Sequence, residues 1–519
     1  MESGHPPLVR TRLSAMMFLE FFIWGGWGFA LGGYADSLGF AGWQLGLVVA
    51  IPAVGAMVSP LLVGFIADRF FATERMLCVL HLLGGACLIM ACFQDSFGPL
   101  MILMMLNGLF FMPSIALCNT IAFRHIPDAD KFPRIAVLGT IGWIVAVLLA
   151  DAVLGGMTSP NFLLQSGIAS IVLALYALTL PHTPPKGAES GADPFGMSAL
   201  KLLKDSSFLV FIVCVSLITI PACGYFFALA GPMLQQRGYP APLALTTLCQ
   251  FAEIIFMFSM PWFVTKLGLK RVLLIGMLSW AVRYLCFMSP TFEAAIIGLL
   301  LHGFCYSFLY VGAYMYVDKR APEDLKASAQ SLLAFLLLGV GWFLGAQGAG
   351  LMKGWFPPDI PSMAAVDAET GAAIVDAKTG KDNATLPRWD DPKAATSVLR
   401  FLNLSGTVKT LLGKEQEEAT PDLAQQLGVD ENGKITLAKI DQFATPTVTV
   451  DGLKYSKENL AATFQDAAEK LGLEGEVALD RKQWLEVQSN KWGPIWMWPS
   501  IICFAVLAFF AVAFREKKE

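Results

Sequence analysis

Long apolar segments alternate with short polar connections along most of the chain. Windows of about 20 apolar residues, enough for a helix to cross roughly 30 Å of hydrocarbon, occur near 13–35, 43–66, 76–93, 97–118, 134–155 and 161–181. Further windows occur near 207–230, 243–266, 271–289, 294–316, 327–354 and 493–514. The pattern predicts an all-α membrane protein with twelve transmembrane helices in two six-helix halves.

Polar stretches divide this pattern into five parts. We expect a bundle of six helices over 1–181, a cytoplasmic linker over 182–206, helices seven to eleven over 207–354, an insertion domain outside the cytoplasm over 355–492, and helix twelve with a cytoplasmic tail over 493–519.

Composition agrees with a membrane protein. Of 519 residues, 55% are hydrophobic and 15% charged, and the mean hydropathy is +0.58. A soluble chain carries roughly a quarter charged residues. The formal net charge of −4 gives no basic surface for nucleic acid, so we expect no nucleic-acid partner. The lipid bilayer is the expected surrounding.

Basic residues lie in every second connection and at both termini, with Arg237 as an exception. Because basic residues remain on the cytoplasmic side, both termini are predicted to be cytoplasmic. The same alternation puts the insertion outside the cytoplasm. From 357 to 491 it carries 15 Lys and Arg against 22 Asp and Glu, a formal charge of −7.

The insertion has the composition of a small folded domain. Asp367–Gly371 and Asp376–Gly380 suggest turns between short strands, and the regions around Leu460–Leu471 and Asp480–Val487 are typical of helices. The segment 428–435 has the middle spacing of a calcium-binding loop. Gly428 and Lys439 occupy the two end positions where carboxylates are needed, so we expect a turn or an EF-like relic and no metal site.

Ionisable and amide groups within predicted spans are rare and usually face a cavity or a partner. Gln250 and Glu253 are three residues apart and share a helix face. A sheltered carboxyl group favours its neutral form and can exchange a proton as its surroundings change, whereas an amide both donates and accepts hydrogen bonds. We expect Glu253 to couple protons and Gln250 to contact solute; a structural hydrogen bond between helices is the alternative.

Glu20 precedes Trp24 and Trp27 by four and seven residues, which favours one shared face. That face is expected to be the wall of a cavity, with Glu20 as a second titratable group and Trp24 in contact with solute. The alternative is that Glu20 reaches the cytoplasmic interface and that the two tryptophans pack against neighbouring helices.

A second set of residues recurs every four positions in the tenth predicted span. His302, Tyr306 and Tyr310 predict a polar and aromatic stripe able to stack against a planar or cyclic solute; mutual hydrogen bonding within the bundle is an equal alternative. Thr140 and Trp143 share a face of the fifth span, beside glycines that allow close helix approach. Arg283 needs a carboxylate or a path to the interface, and the residues leave both open.

No Gly-x-x-x-x-Gly-Lys-Ser/Thr motif is present, so we expect transport driven by a gradient. The turn Gly64–Arg69 after the second span resembles the cytoplasmic loop motif of the major facilitator superfamily, and Val264–Arg271 occupies the equivalent place in the second half. In that superfamily two halves rock about a central site. The resemblance implies that Asp68 and Arg69 form a conformational motif; a solvated turn is the alternative.

Several segments in order resemble the nucleoside:proton symporter family. They are Phe18–Gly25, Ile66–Arg69, Met112–Pro113, Asn119–Ile121, Phe132–Pro133, Gly139–Gly142, Leu180–His182, Gln250 with Glu253, and Lys326–Gln330. The resemblance implies that Gln250 and Glu253 contact nucleoside and take part in proton coupling. It also implies that Thr140 and Trp143 line the cavity and that Tyr306 holds an aromatic position of the tenth helix.

The sequence departs from that family at several positions. Ala136 replaces an arginine, Ser307 replaces an acid of helix ten, and Glu20 stands where an amide is common; amides expected in helix seven are missing from 221–228.

The leading hypothesis is proton-coupled import of a nucleoside or a similar small polar cyclic solute by alternating access. It implies a monomeric, multi-pass symporter of a bacterial inner membrane, with solute and protons as partners. It implies neither enzyme activity nor a cofactor. Two alternatives stay open: a proton-coupled sugar or cell-wall-fragment permease of the same superfamily, and a membrane receptor acting through the insertion.

Overall fold

Two compact units make up the chain. The computed structural model describes residues 7–62, 71–126, 132–185, 196–360, 363–364, 366, 384–385, 389, 422–450, 453–473, 475 and 477–515. The helical unit comprises Met1–Pro232, Pro242–Gly354 and Gly493–Glu519, and the small unit comprises Met233–Ala241 and Trp355–Trp492.

The apolar windows of the sequence form helices. In the first half these are α1 Pro7–Gly28, α2 Ala30–Ser37, α3 Gly42–Val49, α4 Ile51–Leu62, α5 Thr73–Ala91, α6 Phe97–His125, α7 Pro133–Val153 and α8 Asn161–Ala177. In the second half they are α9 Ser206–Ala222, α10 Gly224–Gln236, α11 Pro242–Leu245, α12 Thr247–Leu267, α13 Leu269–Met288, α14 Phe292–Leu300, α15 His302–Phe304, α16 Gly312–Arg320, α17 Lys326–Ala334, α18 Trp342–Trp355 and, after the small unit, α23 Trp492–Ala513.

Ten continuous helices of the described residues are long and apolar enough to cross a membrane. They are Val9–Ser37, Thr73–Ala91, Phe97–His125, Arg134–Val153, Ser206–Gln236, Pro242–Leu267, Leu269–Met288, Phe292–Arg320, Glu323–Trp355 and Trp492–Ala513. Shorter apolar helices cover Gly42–Val58 and Asn161–Ala177. The prediction of an all-helical membrane bundle is therefore confirmed.

Small residues allow the helices to approach closely. A Cβ atom added at Gly25 of α1 would lie 2.7 Å from the Cα atom of Trp143 in α7. A Cβ atom added at Gly46 of α3 would lie 2.8 Å from the carbonyl oxygen of Ala346 in α18. The first contact lies within the first half, and the second joins the two halves, as expected where lipid supplies no hydrophobic force between helices.

Two helices contain π-helical segments, Cys305–Val311 between α15 and α16 and Phe335–Gly341 between α17 and α18. Such segments occur frequently at functional sites because they reorient the side chains within a continuous helix. Tyr306 and Tyr310 lie in the first of them.

The small unit is built from short helices and antiparallel strand pairs. Its elements are β1 Met363–Ala364, β2 Ala384–Thr385, α19 Leu423–Leu427, β3 Lys434–Thr436, α20 Leu437–Asp441, β4 Thr447–Val450, β5 Leu453–Ser456, α21 Lys457–Lys470, β6 Ala478–Asp480 and α22 Arg481–Gln488. β1 pairs with β2, β3 with β6 (Ile435 opposite Leu479), and β4 with β5 (Val448 opposite Tyr455).

The core of the small unit includes Phe464 and Trp484, whose stacked rings lie 4.6 Å apart. The helices predicted in the later part of the insertion are thus α21 and α22. At the segment that resembles a calcium loop, the Asp430 carboxylate accepts hydrogen bonds from the backbone N–H groups of Asn432 and Lys434. The carboxylate therefore stabilises a turn. The segments Asp367–Gly371 and Asp376–Gly380 lie outside the described residues.

Candidate functional site

Glu253 lies on α12 beside the tenth predicted span. Its Oε2 atom is 3.8 Å from Nε2 of His302, and the two side chains are 18% and 10% exposed. Gln250, one turn earlier, is buried. The carboxyl group is thus enclosed by helices yet keeps a small accessible surface.

The predicted stripe of the tenth span is present. The ring centroids of His302 and Tyr306 are 6.0 Å apart, and those of Tyr306 and Tyr310 are 5.7 Å apart at an interplanar angle of 26°. The wider turns of a π-helical segment keep residues four apart in ring contact. Tyr306 is 36% exposed, whereas Tyr310 is buried.

A second aromatic group surrounds Trp24 of α1. The Trp24 ring contacts Trp143 of α7 at 5.4 Å and stacks on Trp342 of α18 at 6.4 Å and 19°. Trp24 and Trp27 also line a narrow pocket with Val49, Pro52 and Trp342. This group combines residues from both halves of the helical unit.

Phe226 and Phe227 of α10 connect the two aromatic groups. Phe227 stacks on Trp342 at 4.8 Å and lies edge-on to Trp143 at 6.5 Å. Phe226 stacks on His302 at 5.9 Å and 24°. A continuous aromatic belt therefore runs from Trp24 to Tyr310 across the two halves.

Buried polar atoms without a partner occur in this belt and on α12. Among the described residues, the indole N–H groups of Trp24 and Trp143 and the Oε1 atom of Gln250 have no hydrogen-bond partner. Since an unsatisfied buried polar group is costly, these atoms are available to a polar ligand. Thr140 lies one turn before Trp143 on α7 and is half-buried.

Glu20 is not among the residues that line the narrow pocket of Trp24 and Trp27, although its spacing predicts one shared face. It is 1% exposed and enclosed by α5, α6 and α8. Its Oε2 atom lies 2.9 Å from Nε2 of His81, and its Oε1 atom accepts a 2.7 Å hydrogen bond from Ser114. His81 also contacts Ser170 through Nδ1 at 3.0 Å.

The spacing predicts that Glu20, Trp24 and Trp27 share one helix face. The partners of each side chain, however, depend on the neighbouring helices. Only the tryptophans line the pocket beside the belt. His81 carried no sequence signal beyond being a lone histidine in an apolar span, which more often fills a core than forms an acid pair.

Arg283 of α13 has a neutral partner where the sequence suggested an acid or the interface. It is fully buried, its Nη1 atom lies 2.9 Å from Nδ1 of His302, and its guanidinium stands 3.6 Å above the Phe226 ring. The structure thus brings Glu253, His302 and Arg283 into one chain of contacts. Asp68 and Arg69 lie outside the described residues.

Comparison with known proteins gives this architecture a family. A family model described as "Nucleoside H+ symporter" matches residues 8–366. The chain belongs to the nucleoside H+ symporter family. It is therefore a multi-pass membrane transporter of the major facilitator fold and not an enzyme, as the sequence predicted.

Individual relatives agree with this assignment. The chain is 39% identical over 358 residues to the "Putative nucleoside transporter YegT" of Escherichia coli, which covers 66% of this chain and 84% of that protein. It is 28% identical to the "Xanthosine permease" of the same organism over 374 residues, covering 68% of this chain and 89% of that protein. The crystal structure of the nucleoside transporter NupG superposes with a TM-score of 0.62 at 24% identity, covering 67% of this chain and 92% of that chain, and shows the shared fold.

Proposed function

We propose that this chain imports nucleosides together with protons across a bacterial inner membrane by alternating access. The observation that carries the proposal is the contact of Glu253 with His302, a ring of the aromatic belt that spans both halves. Family membership and relatives named as nucleoside transporters support the cargo.

In this proposal Glu253 is the proton carrier. A carboxyl group enclosed by α12 and the tenth span is neutral when protonated and charged when it releases the proton. Its protonation state therefore depends on the side of the membrane from which water reaches it. Gln250 lies one turn away and hydrogen-bonds the solute through its free Oε1 atom.

The aromatic belt holds the base. Trp24 and Trp143 contribute stacking surface and indole donors, and His302, Tyr306 and Tyr310 contribute the rings on the other half. Thr140, on the same face as Trp143, donates to the sugar. Aromatic stacking combined with a few polar groups suits a planar base joined to a polar ring.

Glu20 is the second titratable group. Its contact with His81 contains a proton, because two lone pairs facing each other at 2.9 Å would repel. Because Glu20 is enclosed by α5, α6 and α8, movement of these helices changes the surroundings of its carboxyl group.

Membrane topology follows from the same proposal. The shorter apolar helices Gly42–Val58 and Asn161–Ala177 are the second and sixth spans, which brings the total to twelve. Both termini are cytoplasmic and the small unit lies outside the cytoplasm. The segment containing Asp68 and Arg69 is the conformational motif of this proposal, and the transporter acts as a monomer.

Uptake of labelled uridine into right-side-out membrane vesicles with an imposed proton gradient tests the proposal. Wild-type uptake is expected to follow the gradient, and Glu253→Gln to lose that dependence while keeping exchange of internal for external uridine. Glu293→Gln, an exposed acid at the start of α14, is the matched control. Wild-type uptake that ignores the gradient, or uptake of a sugar in place of uridine, contradicts the proposal.

A further inference from the structure

Arg283 is a buried cation whose environment is almost entirely neutral. Its side chain is fully buried, and no carboxylate of the described residues lies within ion-pair distance of its guanidinium. Nη1 contacts His302 at 2.9 Å, and Nη2 contacts the thiol of Cys249 at 3.5 Å. The rings of Phe226 and Trp280 lie 3.6 and 5.1 Å from its Cζ atom.

The contact between Arg283 and His302 determines where the imidazole carries its proton. A guanidinium has five N–H donors and no acceptor. Nδ1 of His302 must therefore accept through its lone pair, and the proton of the neutral ring lies on Nε2. Nε2 is the atom that faces Oε2 of Glu253, at 3.8 Å.

We propose that Arg283 is a positioning residue that holds His302 as the neutral tautomer protonated on Nε2, so that an Nε2–H group faces Glu253 and His302 does not accept its proton. The inference rests on the proposed function of Glu253. A second proton, added on Nδ1, would break the bond from Arg283 and place two cations 2.9 Å apart.

The proton step then involves one group only. The Glu253 carboxylic acid releases its proton to water on the side to which the site is open, and the resulting carboxylate is stabilised by the Nε2–H group of His302. The proton returns to Glu253 from water on the other side. His302 keeps the same proton throughout.

Other titratable groups near this contact come from three elements. They are Cys249 on α12, Tyr284 and Cys286 on α13, and Cys305 and Tyr306 on the tenth span. α10 contributes the uncharged Phe226. Burial and the fixed positive charge of Arg283 together keep His302 neutral.

Replacing His302 by glutamine tests the inference directly. The glutamine oxygen accepts from Arg283 and its NH2 group donates to Glu253, but the amide does not titrate. His302→Gln is expected to keep the dependence of uridine uptake on the proton gradient, with the same single-step pH profile, while the KM for uridine rises because the belt loses a ring. Loss of gradient-driven uptake with exchange retained would overturn the inference, because His302 would then carry the proton.

Variants at Arg283 give the second arm. Arg283→Lys keeps a cationic donor and is expected to preserve the single-step profile. Arg283→Gln removes the positive charge beside Nδ1 of His302 and is expected to add a second step to the pH profile, because the ring can then take a second proton. The double variant Arg283→Gln/His302→Gln is expected to remove that added step.

An unchanged pH profile in well-folded Arg283→Gln, judged by size-exclusion chromatography, also overturns the inference. Should Arg283→Gln fail to fold, His302→Gln decides alone, since it leaves Arg283 in place. A wild type without gradient dependence contradicts the proposed function instead, so the two failures are distinguishable.

Discussion

Asp36 and Lys353 form an ion pair between the two halves of the helical unit. Oδ1 of Asp36 lies 2.5 Å from Nζ of Lys353, and the side chains are 15% and 12% exposed. Asp36 is near the end of α2 and Lys353 near the end of α18. On the proposed topology both ends lie on the outer side of the membrane, where the backbone N–H groups of Leu243 and Ala244 also contact the carboxylate of Asp151.

Breaking this pair is expected to destabilise the state in which the outer side is closed. Asp36→Asn removes the carboxylate that faces the partly buried Lys353 and should lower the free energy of unfolding by about 1–3 kcal/mol. Thermal unfolding in detergent and the maximal rate of uridine uptake measure the effect. Asp36→Asn combined with Lys353→Met leaves no unpaired charge and is expected to be milder than either single change; equal effects of all three variants would contradict the coupling.

The aromatic belt is expected to determine solute affinity. Trp143→Ala removes a ring that contacts both Trp24 and Phe227, and aromatic pairs contribute about 0.5–1.5 kcal/mol beyond their buried area. The KM for uridine should rise by about tenfold, which is 1.4 kcal/mol. Trp143→Phe keeps a ring and should change KM less; an unchanged KM in Trp143→Ala would place the solute elsewhere.

The buried contact of Glu20 with His81 is expected to stabilise the first half. Glu20→Ala removes the carboxylate that pairs with both His81 and Ser114 and should cost about 3 kcal/mol or more. Glu20→Gln still pairs with both groups and should cost less. The apparent Tm of the purified variants gives the comparison, and the double change Glu20→Ala/His81→Ala should recover part of the loss if the two residues are coupled.

Close packing at Gly25 predicts a steric effect. Alanine there would place its Cβ 2.7 Å from the Cα atom of Trp143, so α1 and α7 must move apart. Gly25→Ala is expected to lower the apparent Tm and to slow uptake. Gly348→Ala is the matched control, because a Cβ added at this helical glycine meets no atom within 4 Å.

The small unit has its own core and should unfold separately. Trp484→Ala removes a fully buried ring stacked on Phe464, at a cost of about 3–5 kcal/mol. Limited proteolysis should then cleave within 422–489. The proposed function predicts that this variant still takes up uridine. A complete loss of uptake while the helical unit stays folded would favour the receptor alternative.

Different features were predictable to different degrees. The stripe of His302, Tyr306 and Tyr310 followed from spacing alone, because residues four apart remain neighbours along one helix. The role of Arg283 did not follow, since its partner comes from another helix. Phe226 and Phe227 looked like ordinary apolar residues of α10, and only their stacking on His302 and Trp342 shows that they connect the two halves.

The sequence by itself determined the apolar spans, the fold class and the family, because each span must satisfy its own backbone hydrogen bonds in lipid and so carries a local signal. The tertiary structure alone decided which face of each helix meets which neighbour. In the tertiary structure Glu20 contacts His81, and His302 lies between Arg283 and Glu253. Such partners are set by helix rotation and packing between residues far apart in the chain, which no local pattern encodes.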